Sequence, residues 1–181
     1  MLTDDLLDDD VPPMEGDAAA DAAPARLYEH LIREPIGKSD PRPAISVNPH
    51  TSVTDAISLM KEHGMGCVLV EAERRLVGIF TERDVLYRVV GTGRDPAKTP
   101  VSEVMTADPE TLTMEDELAW VLNLMAVGGF RHVPIVDAEG RPLAVLSVKH
   151  IVERLVEFFP HDVLNLPPHP GKNISHTREG A

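Results

Sequence analysis

The strongest constraint on this chain is that one pattern is written into it twice. Val53, Ala56, Ile57 and Met60 recur as Leu118, Val121, Leu122 and Met125, each 65 residues later. Both quartets follow the i, i+3, i+4, i+7 rhythm of an amphipathic helix. The neighbouring elements repeat with them. Cys67 to Val70 and Val133 to Val136 are apolar runs of strand length, followed by polar turns at Glu71 to Arg75 and Asp137 to Arg141. Leu76 to Phe80 and Leu143 to Leu146 are second apolar runs, so each pair reads as an antiparallel hairpin. Ala44 to Val47 opens the first unit and Val104 to Pro109 the second, with Pro109 placed 60 residues after Pro49.

Each copy therefore has the order β-α-β-β-α, and each is too small to bury an adequate core alone. The expected fold class is α+β (α/β in the looser sense): two β-α-β-β-α repeats packed with pseudo-two-fold symmetry, sheet against sheet or through the helices, and flanked by disordered termini. The expected boundaries are a disordered acidic tail at 1–24, a short helix and linker at 25–43, repeat 1 at 44–91, a connector at 92–103, repeat 2 at 104–159 and a C-terminal tail at 160–181. Ser39-Asp40-Pro41-Arg42-Pro43 reads as linker by its prolines. Trp120 and Leu124 add an apolar stripe to the outer face of the second helix, a surface suited to a homodimer, or to the helix of residues 25–34 or the C-terminal tail.

Charge narrows the partners. The formal net charge of −13 excludes nucleic acid and anionic membrane as natural ligands. Residues 1–23 carry eight of the acids and no Lys or Arg, leaving the foldable part only mildly acidic. A single Cys67 inside an apolar strand excludes an internal disulfide and fits a reducing, cytoplasmic setting. The N-terminus has neither the basic nor the apolar character of a signal peptide, and no apolar run is long enough to span a bilayer. The eight histidines lack ligand-like spacing, and no activated nucleophile or phosphate-cradling glycine loop appears, so neither a metal site nor enzyme activity is expected.

The stretch with chemical potential is Gly78-Ile79-Phe80-Thr81-Glu82-Arg83-Asp84, a strand-to-helix turn. Gly78 allows close backbone approach, and Thr81 stands at a helix start where N–H groups are free. Asp84, one turn on, brings an acceptor-only carboxylate to the same face, suited to a vicinal diol such as ribose. The same two residues also satisfy a purely structural reading, a capped helix start with its dipole complemented.

Together with the duplication, this turn and the run His132-Val133-Pro134-Ile135-Val136-Asp137 resemble a tandem pair of CBS domains, a Bateman module, over roughly residues 40–158. The resemblance implies a stand-alone regulatory sensor that binds AMP, ADP, ATP or a related adenosyl ligand between its repeats. No cofactor is required. It also implies a homodimer that signals to an unknown protein partner. In the main cleft it implies Gly78, Thr81 and Asp84 at the ribose and phosphate, Val104 and Met105 against adenine, and Arg131 and His132 facing the phosphates. The second cleft would hold Ile45, Met65, Ser147 and His150. There Ala144 replaces the glycine, His150 replaces the aspartate, and Met65-Gly66 replaces the basic pair. One competent site per chain is expected. The alternative is a dimeric interaction module whose clefts bind nothing.

Overall fold

The computed structural model describes residues 32–158. Strands β1 (Arg42–Pro43) and β2 (Ser46–Val47) lead into helix α1 (Val53–His63), and β3 (Cys67–Ala72) and β4 (Arg75–Thr81) follow. Helix α2 (Glu82–Asp84) then continues as a π turn, Val85–Val89, and a 3-10 turn, Val90–Thr92. The second half comprises β5 (Thr106–Ala107), α3 (Leu118–Ala126), β6 (His132–Val136), β7 (Pro142–Ser147) and α4 (Val148–Phe158). Local chemistry accounts for the boundaries of α1. The Ser52 hydroxyl accepts the Asp55 N–H at 3.1 Å, and Gly64 at φ 60° ends the helix in a left-handed conformation open to glycine.

Two sheets form, in the orders β2-β3-β4-β5 and β1-β7-β6. The hairpins β3–β4 and β6–β7 are antiparallel, as the repeated turns require. The opening strands are exchanged. β5, which introduces the second repeat, pairs antiparallel with β4 of the first, placing Thr106 opposite Ile79. β1, which introduces the first repeat, pairs with β7 of the second, placing Arg42 opposite Val145.

Side-chain alternation along the strands divides the interior into three clusters. Val68, Val70 and Phe80 face α1, with Val53, Ala56 and Met60. Val133, Ile135, Ala144 and Leu146 face α3 and α4, with Leu118, Val121 and Ile151. Cys67, Leu69 and Ile79 point the other way and meet Val145, so the repeats pack sheet against sheet. Burial pushes the Cys67 thiol up to about 12, which leaves it an unreactive core group.

Several expectations need correction. The Pro41–Pro43 stretch is not merely a linker. It enters the second sheet at an edge, where a proline needs no N–H partner. Ahead of it, Ile36 is fully buried in the second repeat's core, so this segment straps the distant half of the chain. Residues 25–31 of the expected short helix lie outside the described residues. The proline correspondence also fails. Val47 pairs with Val70 and Leu112 with Ile135, so Pro49 follows its strand whereas Pro109 precedes its own. Leu124 packs on the second core, leaving only Trp120 of the proposed stripe outside, at 59% exposure.

Gly78 has a packing task. A Cβ there would lie 3.0 Å from Met105 Cγ and Cε and closer still to the sulfur. Gly78→Ala is expected to destabilise the protein by about 1–3 kcal/mol through overpacking, measured by urea unfolding. Adding Met105→Ala should recover part of that loss if the clash is its origin.

Candidate functional site

The turn after β4 closes on itself. Thr81 N–H and Oγ1 donate to Asp84 Oδ2 at 2.9 and 2.7 Å, and Asp84 N–H donates back to Thr81 Oγ1 at 3.3 Å. This reciprocal box satisfies donors that a helix start leaves unpaired, a contribution of about 0.5–2 kcal/mol. The other carboxylate oxygen, Oδ1, lies 3.3 Å from Arg88 Nη1. The same guanidinium nitrogen donates to the carbonyl of Val104 at 3.1 Å and to that of Met105. Asp84 is thus buried, charge-paired and tied to the segment that leads into β5.

Around this box lies a cleft of about 220 Å³ between the repeats. Thr81 and Asp84 line it from one side, and Arg131 and His132 from the start of β6 line it from the other. The four residues come together because β5 zips the two halves across β4. Three expected residues do not line it. Val104 is buried in the first core, Met105 packs beside it, and Gly78 accommodates the Met105 side chain rather than a ligand. Their places are taken by Ile79, Thr106, Pro109 and Phe130, with Arg83 and Arg88 adding positive charge. Phe130 had a sequence signal, an aromatic between a glycine pair and the Arg131-His132 step.

The second cleft, about 310 Å³, is lined by Met65, Ser147 and His150 but not by Ile45. Ile45 packs on the first core, and its carbonyl accepts the Leu69 N–H at 2.9 Å. The ladder explains the shift. Ile79 and Val145 hold equivalent positions in β4 and β7, so the counterpart of Thr106 is Arg42, and Arg42 lines the cleft. The basic pair that Met65 and Gly66 replace is therefore offset by a different arginine.

Here the box is rebuilt with an imidazole. Ser147 N–H donates to His150 Nδ1 at 3.3 Å, Ser147 Oγ lies 3.2 Å from the same nitrogen, and His150 N–H donates to Ser147 Oγ at 3.4 Å. Arg131 and His132 border both clefts. The His132 ring packs on Gly66, where an added Cβ would lie 3.0 Å from Nε2. Burial first, then the Arg131 charge, hold His132 below its ordinary pKa of 6.5; burial and then Arg42 do the same for His150. Among the described residues no three potential ligands gather as a metal site, and no helix is long and apolar enough to cross a membrane.

Duplicated β-α-β-β-α units with exchanged opening strands and paired clefts between them define a tandem repeat module. The chain belongs to the CBS domain family, whose model matches residues 40–91 and 101–157. It is 35% identical over 117 residues to the CBS domain-containing protein CBSCBSPB1 of Arabidopsis thaliana, covering 65% of this chain but only 22% of that protein. An uncharacterized conserved protein from Pyrococcus horikoshii has a similar structure, with TM-score 0.62, 30% identity and coverage of 68% of this chain and 93% of that one. CBSX2, solved in complex with AMP, shares the fold at TM-score 0.58 and 24% identity, over 69% of this chain and 98% of its own.

The lowered proton affinity of His132 has a signed consequence. Below about pH 6.5 the unfolded chain binds a proton there that the folded chain resists, so stability falls as pH drops toward the folded-state pKa. His132→Gln should flatten the decline in urea midpoint between about pH 7.5 and about pH 5.5 relative to wild type. An unchanged slope would show that His132 is not a source of it.

Proposed function

We propose that this protein is a regulatory binding module, not an enzyme, that takes an adenine nucleotide (AMP, ADP, ATP or a related adenosyl ligand) into the first cleft and signals occupancy to a protein partner. The observation that carries this reading is the convergence of Thr81 and Asp84 from one repeat with Arg131 and His132 from the other on one cavity. Asp84 Oδ1 offers an acceptor toward a ribose diol, and the Arg131 guanidinium offers a fork for phosphate oxygens. Phe130 and Pro109, in place of Val104 and Met105, offer the flat apolar surface that a purine needs. The AMP complex of CBSX2 supports the ligand class. A ligand spanning both repeats favours whichever relative arrangement it binds more tightly, and that difference is all it can transmit.

Titration calorimetry with AMP, ADP, ATP and S-adenosylmethionine tests the reading. At least one should bind, at about one per chain in this cleft, and Asp84→Asn, which keeps an acceptor for Thr81, should weaken it by about tenfold or more. Absence of binding by all four to the folded protein would refute it.

A homodimer is part of the proposal. Trp120 on α3 and Leu86, Tyr87 and Val90 after β4 are all more than half exposed, apolar area that a second copy would remove from water. Light scattering should report a dimer for wild type and a shift toward monomer for Trp120→Glu. This surface also supports the second reading, an interaction module with empty clefts, which gains if the titrations are silent and the dimer persists.

A further inference from the structure

The second cleft has a charge character of its own. Arg42 from β1, Arg131 and His132 from the start of β6, and Lys149 and His150 from the first turn of α4 line it, against the single carboxylate of Glu82. Among the described residues the guanidinium groups of Arg42 and Arg131 make no hydrogen bond or ion pair, while Lys149 reaches Glu153 at 3.5 Å. Unpaired arginines converging on a cavity of about 310 Å³, in a chain of net charge −13, call for an anionic occupant. The diol-binding carboxylate of the first cleft is absent, since His150 stands where Asp84 stands in the other repeat. Ile45, expected in this cleft, packs against the first core instead.

We propose that the second cleft is a site for a compact polyanion of the phosphate or pyrophosphate class, bound without a nucleoside. The inference is independent of the nucleotide reading of the first cleft. Its chemistry runs through the Ser147–His150 box. Acceptance by Nδ1 places the neutral ring's proton on Nε2. The cations Arg42 and Lys149 face His150 together with the carboxylates Asp40 and Glu153, while Arg131, Glu82 and His150 face His132. An arriving anion adds negative charge to this balance and favours the imidazolium. Once Nδ1 takes a proton from solvent it becomes a donor and no longer accepts, so the imidazolium N–H groups and the rotatable Ser147 hydroxyl are available to the anion's oxygens. Binding at this site is therefore accompanied by proton uptake and tightens as pH falls.

Calorimetry with pyrophosphate, AMP and adenosine on the full chain separates a free phosphate compound from a nucleotide's phosphates. Pyrophosphate should bind at about one per chain, weaken by about tenfold in Arg42→Gln, weaken also in Lys149→Gln, and be unaffected by Asp84→Asn. Thermal unfolding confirms that each variant is folded; exposed Lys149 serves if Arg42→Gln disturbs β1. His150→Asn, whose amide oxygen keeps the Ser147 contact without titrating, should remove the excess proton uptake seen in wild type, with pyrophosphate's own titration cancelling in the difference. No pyrophosphate binding would overturn the proposal. So would binding lost in Asp84→Asn but retained in Arg42→Gln, or AMP binding Asp84→Asn more tightly than pyrophosphate does. Proton uptake equal in wild type and His150→Asn would overturn the role given to the box. The nucleotide reading fails separately, on the first cleft's response to AMP.

Discussion

The exchange of opening strands is the interaction on which the rest of the structure depends. β5 supplies the outer edge of the first sheet and β1 that of the second, so each repeat needs a strand whose sequence introduces the other. Face-to-face packing of Cys67, Leu69 and Ile79 on Val145 then fixes the sheets against each other. Both clefts sit where these constraints meet. Their walls come from different repeats, and the segments ending in Arg42 and Thr106 reach them only through the ladders. A ligand there would touch the joint between repeats rather than one repeat's interior.

The parts of the fold governed by short-range rules were legible in the sequence. Continuous apolar runs at Cys67 to Val70 and Val133 to Val136, helical spacing around Val53 and Leu118, and the polar turns between strands specified both hairpins and the helices α1 and α3. What escaped was non-local. Nothing in Pro41-Arg42-Pro43 announces a strand, because its partner is Val145, about a hundred residues on. Equating Ala44–Ile45 with Val104–Met105 failed because it took the 60-residue spacing of Pro49 and Pro109, whereas the ladders keep the 64–66-residue spacing of the helices and hairpins, which makes Arg42 the counterpart of Thr106. Thr81, Asp84, Arg131 and His132 were found because a strand-to-helix turn and a strand entry are locally encoded. Phe130 and Arg42 were missed because their relevance depends on what the other repeat brings near.

The two boxes share one hydrogen-bond pattern but differ in the charge of the acceptor. Thr81 with Asp84 and Ser147 with His150 close the same box, yet one acceptor is a carboxylate held beside Arg88 and the other is an imidazole bordered by Arg42. Geometry is retained while charge is changed. The pseudo-symmetric frame therefore presents two chemically distinct faces across the shared Arg131-His132 step.

Arg88 and Arg154 occupy equivalent places one turn beyond these boxes, and each fastens the segment that leads into the exchanged opening strand. Arg88 holds the Val104 and Met105 carbonyls, and Arg154 holds the Glu34 carboxylate at 3.0 Å. The separations along the chain are very unequal, 16 residues for Arg88 to Val104 and 120 for Arg154 to Glu34. Closing the longer loop costs more chain entropy and brings no earlier reward. Assembly should therefore be ordered in time, with the connector clasp setting first and the N-terminal clasp last. Run in reverse, the same ordering makes the N-terminal strap the first part to peel away, opening the second cleft while the first is still intact.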